Sequence, residues 1–405
     1  MKFYPRHIVN LRLGVFKILV AKISGGYSLE GPDISKFENE FAKYIGTKFA
    51  IGVSQARLGL IISLKSLGLN KGDEVILSSF NFHIIPECIR KLGLVPVFVD
   101  IRNRTYNIDP DLIKDKINKK TKAIIITHMF GQPVSMDSIL EIAKEHKIKV
   151  IEDCAHALGA EYNGKKVGSI ADIGIFSFGI GKNMPCFGGG MITTNDVHLF
   201  GTFRQYINHG KFPPRKEIAM SIIKHLFIFL ATTSPMFTLF TFPIIRVLDI
   251  FGVDIREFEK KDSLSDIPMN NFDNLPLKLT NMQAAVGLKQ IEKVEYFNNK
   301  RIQNSILLNK NLGSFNSIGL PEITPNSKPI YLYYKIMIKN KDSFRKRLFT
   351  RGIDTSKKCE MSNCSAECPI AASLTEHVLE VPNNHFLSTG DINGISESIK
   401  EILFS

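Results

Sequence analysis

Cysteine is sparse in this chain, six among 405 residues, and the opening Met1-Lys2-Phe3-Tyr4-Pro5-Arg6 has no apolar core followed by a cleavage site, the mark of a secretory signal. Together these absences argue against a disulfide-built extracellular fold and for a reducing compartment, with the cytoplasm as the expected location. Cys359, Cys364 and Cys368 form a cluster in sequence, but their spacing matches no common zinc or iron–sulfur pattern, so ordinary thiols and no metal are expected. Internal repeats and low-complexity tracts are also absent. The lysines are dispersed, as in Lys114, Lys116, Lys119, Lys120 and Lys122, and no nucleic-acid module accompanies them. A formal charge of +13 and a pI near 9.3 therefore read as a solvated basic surface, open to nucleotide diphosphates or phospholipid and not to nucleic acid.

Apolar residues, by contrast, make up 44% of the chain, enough for a full core, and the length exceeds the usual single-domain range. Short β-branched runs alternate with helical periodicity: Phe49 to Val53, Glu74 to Ser78, Val95 to Val99, Ala123 to Thr127, Ile148 to Glu152, Ile173 to Phe178 and Met191 to Thr194. They predict the buried strands of a mostly parallel, seven-stranded sheet in an α/β domain. Asp153 then falls just past the carboxyl end of a strand, where open α/β sheets place ligands. Beyond Thr280, periodicity through Gln290, Val294 and Ile302 predicts one long helix leading out of the large domain. The remainder, with the strand-like Ile330 to Ile338, predicts a smaller α+β unit that caps the pocket. The expected division is an N-terminal arm over 1–25, a cofactor-binding large domain over 26–290 and a small C-terminal domain over 291–405.

Two residues carry the chemical signal. Lys182 stands twenty-nine residues after Asp153, in frames reading Ile151-Glu152-Asp153-Cys154-Ala155-His156 and Phe176-Ser177-Phe178-Gly179-Ile180-Gly181-Lys182-Asn183. A lysine amine that forms a Schiff base with pyridoxal 5′-phosphate needs a carboxylate elsewhere to keep the pyridine nitrogen protonated, because the pyridinium ring is the good electron sink. The chain offers both groups in that order, and Gly188-Gly189-Gly190 lets backbone approach a ligand closely. Taken singly, Lys182 also reads as an exposed lysine, Asp153 as a helix cap and His156 as a core histidine.

Further segments stand in register with these frames: Gly26-Tyr27-Ser28-Leu29-Glu30-Gly31-Pro32, Gly72-Asp73-Glu74-Val75, Phe130-Gly131-Gln132-Pro133 and Thr280-Asn281-Met282-Gln283-Ala284-Ala285. With them the chain resembles, nearly end to end, the DegT/DnrJ/EryC1/StrS group of sugar aminotransferases. The resemblance implies fold type I of the pyridoxal-phosphate transferases, a homodimer, and transfer of an amino group from glutamate or glutamine to a nucleotide-linked keto sugar in surface polysaccharide or amino-sugar biosynthesis. It implies Lys182 as the Schiff-base lysine and proton shuttle, Asp153 as partner of the pyridinium nitrogen, and His156 as neighbour of the cofactor's 3′-oxygen. Ser177 belongs to the same frame, and Phe82 is the ring expected to stack on the cofactor, with Phe80 competing.

The family's phosphate turn, Ser-Gly-Thr at a helix N-terminus, is replaced here by Ser54-Gln55-Ala56-Arg57, so that Ala56 stands for glycine and Arg57 for threonine. Relatives also offer an asparagine from the partner subunit where this chain has Pro276, and an arginine where it has Lys278. The expectation is that Arg57 substitutes charge-assisted hydrogen bonds for the lost donors; the alternative is a decayed phosphate site. Two other functions stay open. One is sugar deoxygenation on the same cofactor, against which Lys182 counts because relatives that do it carry histidine there. The other is a non-catalytic, membrane-associated protein that keeps the fold.

Where relatives connect the pair matching His209-Gly210 to their next motif by a short segment, this chain carries an apolar insertion over 212–258. Within it Leu226 to Ile245 is a twenty-residue stretch without a charged side chain, long enough for a membrane span. Pro235 and Pro243 would break a continuous helix, and Lys224, Arg246 and Asp249 flank it. Two short apolar helices meeting near Ser234-Pro235 are expected, either dipping into one leaflet or packing on the protein itself. Residues 218–255 are thus the candidate contact with the inner face of a membrane, and the resemblance sets them near the substrate entrance of the neighbouring subunit.

Overall fold

The computed structural model describes residues 2–11, 13–24, 28–251, 275–356 and 367–404. Gly26 and Tyr27 of the N-terminal motif, Cys359, Cys364 and the insertion beyond Phe251 lie outside the described residues.

Each expected run holds a strand: β1 (Phe49–Val53), β2 (Glu74–Ser78), β3 (Val95–Val99), β4 (Thr121–Thr127), β5 (Lys149–Asp153) and, after a small hairpin of β6 (Glu161–Tyr162) and β7 (Lys165–Lys166), β8 (Ile173–Ser177) and β9 (Gly190–Thr194). The seven-stranded sheet has the order β1-β9-β8-β5-β4-β2-β3. Within it β9 alone runs against the rest, pairing antiparallel with β1 and β8, while the other neighbours are parallel. Alternate residues of the strands enter opposite layers, which is why the runs are apolar throughout. Ile125 and Ile151 pack with Leu58, Ile61 and Ile62 of the helix Ala56–Ser66. Ile124, Ile126 and Val150 pack with Met136, Ile139 and Ile142 of the helix Met136–His146. Asp153 is the last residue of β5 and not the first beyond it, because pairing continues from Thr127 and Ile175 to Asp153.

The C-terminal part forms a second sheet of β10 (Ile318–Gly319), β12 (Tyr334–Ile338) and β13 (Val378–Val381), covered by the helices Lys341–Thr350 and Thr389–Phe404, while β11 (Ser327–Lys328) pairs back onto β6. Of the strand-like stretch from Ile330, only Tyr334 onward is a strand, since Tyr331 turns the chain with a φ of 46°. The expected long helix is two helices, Asn281–Ile291 and Val294–Leu312. The first opens with a capping box: the Thr280 hydroxyl accepts from the Gln283 amide, and the Gln283 side chain accepts from the Thr280 amide at 3.1 Å. Asp100, just after β3, caps the helix Pro369–His377 by accepting from the amides of Ile370 and Ala371, both at 2.9 Å, and so fastens the C-terminal part to the sheet.

In the insertion, the helix Arg215–Thr232 stops at Thr233, and the chain bends by 69° into Ser234–Ile250. The break falls beside Pro235 as expected. Pro243 does not add another: the helix widens to a π-turn over Phe237–Thr241 just before it and continues as Phe242–Ile250. No single helix among the described residues is long and apolar enough to cross a membrane. One face of each limb packs on the protein. Ile218 and His225 are buried, the Ser221 hydroxyl donates to the Phe187 carbonyl at 2.8 Å, and Phe229 meets Phe16. On the second limb Phe237 and Phe242 join Phe349, and Asp249 pairs with Arg345 at 3.0 Å.

Candidate active site

The carboxyl ends of β1, β2, β4, β5 and β8 open on one edge of the sheet. Lys182 is carried there by the loop between β8 and β9, whose feet, Ser177 and Gly190, are paired residues of neighbouring strands. Gly188 and Gly189 take φ of 101° and 96°, a region open to glycine and poor for other residues. At Gly190 a Cβ would meet the Phe176 carbonyl oxygen at 2.6 Å and the Ala56 nitrogen at 2.9 Å. Both neighbours of Lys182 are tied to the C-terminal part. The Tyr333 hydroxyl donates to the Gly181 carbonyl at 3.2 Å, and the Asn183 amide donates to Asn298 Oδ1 at 2.7 Å.

Asp153 and His156 face the same lysine. Burial pushes the Asp153 carboxyl up from its ordinary value, and the Ala155 amide, the charge of Lys182, His128 and the Thr127 hydroxyl pull against it. The Ala155 amide donates to Asp153 Oδ1 at 3.0 Å. A carboxylate so placed gains from a cationic partner. His156 is driven well below its ordinary value by burial and then by the charges of Lys182 and Lys335, so the ring is neutral at pH 7. Its Nδ1 is enclosed without a hydrogen-bond partner among the described residues. Phe130 lies parallel to the imidazole with centroids 6.2 Å apart, and Tyr333 meets it edge-on at 5.1 Å.

Ser177 ends β8 half-buried. Phe80 is fully buried among Ile101, Tyr106 and Phe130, whereas Phe82 is 36% exposed and leaves its ring available to a ligand. The helix Ala56–Ser66 begins without a side-chain cap, leaving an N-terminus that suits an anion. Arg57 is half-buried in its first turn, its Nε donating to Gln55 Oε1. The Ser54 hydroxyl is taken up by the Pro276 carbonyl, and the Ser54 amide donates to the Leu277 carbonyl at 2.9 Å. Lys278 places its amine over the Phe212 ring at 5.4 Å.

These groups suit pyridoxal phosphate on the structure's own terms: a carboxylate raised by burial that gains from a further cation, a neutral histidine with an enclosed unpartnered nitrogen, a ring at the surface, and a glycine-lined approach beside an uncapped helix start. Several neighbours were not singled out by sequence. Phe130, in the segment Phe130-Gly131-Gln132-Pro133, adopts a φ of 55°, and Lys335 sits 4.9 Å over its ring. Burial raises the Glu380 carboxyl, but His7 and Lys335 outweigh it and hold the group below its ordinary value. Tyr333 gave no local signal, being one aromatic residue in an aromatic run. His128, Glu152 and Cys154 offer ligand atoms within 4.8 Å of one another. Glu152, however, is filled by the amides of Gly168, Ile170 and Ala171 and by His128 Nε2 at 3.0 Å. Burial holds the Cys154 thiol well above its ordinary value, so this is a structural knot.

Comparison with known proteins bears on the family and the fold. Over 387 residues the chain is 29% identical to the GDP-perosamine synthase of Escherichia coli O157:H7, covering 92% of this chain and 91% of that one. It is 29% identical over 347 residues to the dTDP-3-amino-3,4,6-trideoxy-alpha-D-glucose transaminase of Streptomyces venezuelae, covering 85% and 78%. Among solved structures, S. venezuelae DesV in complex with a ketimine intermediate superposes with a TM-score of 0.79 over 99% of both chains at 24% identity, a likeness of fold. The model of the DegT/DnrJ/EryC1/StrS aminotransferase family matches residues 17–224 and 243–400, and the chain belongs to that family.

Proposed function

We propose that this protein is a pyridoxal-phosphate-dependent aminotransferase that moves an amino group from glutamate or glutamine to a nucleotide-linked keto sugar, acting as a homodimer. The related enzymes named above are named for amino sugars on nucleotides, and the observation that carries the reading is the position of Asp153 at the end of β5 beside β8, whose following loop bears Lys182, with the charge of that lysine acting on both Asp153 and His156. Pyridoxal phosphate, when bound, supplies the electron sink for the carbanion formed at the amino-bearing carbon.

The chain's own groups do the rest. Lys182 would serve as the covalent anchor and as the base that moves a proton between the substrate's amino-bearing carbon and the cofactor's carbon. Asp153 keeps a proton on the ring nitrogen, and its buried position strengthens that attraction. His156 neighbours the cofactor's 3′-oxygen, Phe82 offers its ring for stacking, and Ala56 and Arg57 receive the phosphate at the helix N-terminus, with Ser177 beside it. Residues 26–290 form the cofactor-binding unit, 291–405 the cap and 1–25 the arm.

Borohydride reduction of the protein with pyridoxal phosphate, followed by peptide mapping, should label Lys182. A spectrum titrated with amino donors should then identify glutamate or glutamine by loss of the cofactor's visible band. Labelling elsewhere, or none, would remove the reading.

A further inference from the structure

The insertion buries one face of each helical limb and leaves the other bare. On Arg215–Thr232 the side chains of Ile223, Phe227 and Leu230 are 58%, 70% and 56% exposed; beyond the bend, Leu239, Phe240 and Val247 are 67%, 56% and 53% exposed. A helix apolar on every side needs a partner on every side, and a contiguous patch of this kind marks an interaction surface. The protein satisfies half of that need through Ile218, His225, Phe237 and Phe242.

The charges say what meets the other half. Lys216, Lys224 and Arg246 are exposed and, among the described residues, have no carboxylate partner. Lys224 stands one helical turn from both Met220 and Phe227, and Arg246 adjoins Val247, so cations and apolar groups share one face. Of the acidic residues on these limbs, Asp249 is engaged by Arg345 and Glu217 lies in the first turn. A second copy of the patch would set these cations against their own kind across a two-fold axis. An anionic bilayer surface accepts both elements at once, the apolar side chains below the headgroups and the ammonium and guanidinium groups among the phosphates. Depth is limited, because the opposite faces are fastened to the protein and the limbs diverge by 69°. The first limb, about 27 Å long at 1.5 Å per residue, lies along the interface.

We infer that the bent helix pair 215–250 docks the protein on an anionic membrane leaflet without crossing it. The test is flotation of the full chain with phosphatidylcholine vesicles and with vesicles one-third phosphatidylglycerol, at low and high salt, alongside sedimentation without lipid. Binding should favour the anionic vesicles by tenfold or more and weaken with salt. The pair Phe227→Ser with Phe240→Ser, and separately Lys224→Glu with Arg246→Glu, should each cut binding about tenfold while the far-ultraviolet spectrum and cofactor labelling of Lys182 stay unchanged. Absence of flotation with either vesicle, or binding unaffected by both pairs, overturns the inference. So does a phenylalanine pair that dissociates an oligomer and leaves flotation intact, since a second copy then covers the face. Because no substrate enters the assay, these results stand apart from the aminotransferase assignment.

Discussion

The Tyr333 hydroxyl donates to the Gly181 carbonyl across 3.2 Å, so a residue of the C-terminal part holds the peptide immediately before Lys182. Tyr333→Phe keeps the ring against His156 and His7 and removes one hydrogen bond, worth about 1 kcal/mol net. Loss of lysine alignment should lower kcat by about tenfold with the melting temperature nearly unchanged. Steady-state kinetics beside a thermal melt would check this; a proportional loss of both would mean the bond serves stability alone.

Arg57 is the departure at the phosphate turn. Arg57→Ala should weaken pyridoxal phosphate binding by roughly ten- to a hundredfold, the range of a hydrogen bond to a charged group, about 1.5–3 kcal/mol. Fluorescence titration of the cofactor-free protein measures it. Wild-type affinity in the variant would mean that the helix amides suffice without the guanidinium.

Glu152 lies beneath the site with its side chain fully enclosed, held by three amides and His128. Glu152→Ala strands four donors in the interior and should cost on the order of 3–5 kcal/mol. Urea denaturation should show the shift with little change in slope. Retained stability would mean that water replaces the carboxylate.

His225 makes folding acid-sensitive at the insertion. Burial lowers its pKa from 6.5 to about 4, so the unfolded chain takes up the proton first. The contribution is complete above about pH 6.5, falls as pH drops toward 4 and then stays flat, a loss on the order of 3 kcal/mol. His225→Phe should therefore flatten the acid limb of stability between these values. Urea midpoints measured at about pH 7 and about pH 5 should converge in the variant; an undiminished difference would place the acid sensitivity elsewhere.

What the sequence made legible follows physical range. The strand runs could be read because both sheet faces are covered, which forces Ile124, Ile125 and Ile126 all to be apolar. Asp153 and Lys182 stood out because strand ends and glycine frames are local. Phe82 is preferred to Phe80 on the resemblance alone, since which ring enters the core depends on Tyr106 and Phe130 arriving from elsewhere. Tyr333 reaches Gly181 from 152 positions along the chain, a distance over which no local pattern operates. The insertion was legible as two helices but not by face, because a pattern apolar all round carries no phase. The break between Asn281–Ile291 and Val294–Leu312 left no mark in the periodicity.

Because Ser177 and Gly190 are paired rungs of adjacent strands, the segment bearing Lys182 is a closed staple and not a free tether. The freedom that a flexible lysine would surrender on meeting its reaction partner is therefore given up once, when the sheet forms. Inserting residues between those rungs should slacken the staple and blunt catalysis while leaving the barrier to unfolding of the sheet unmoved.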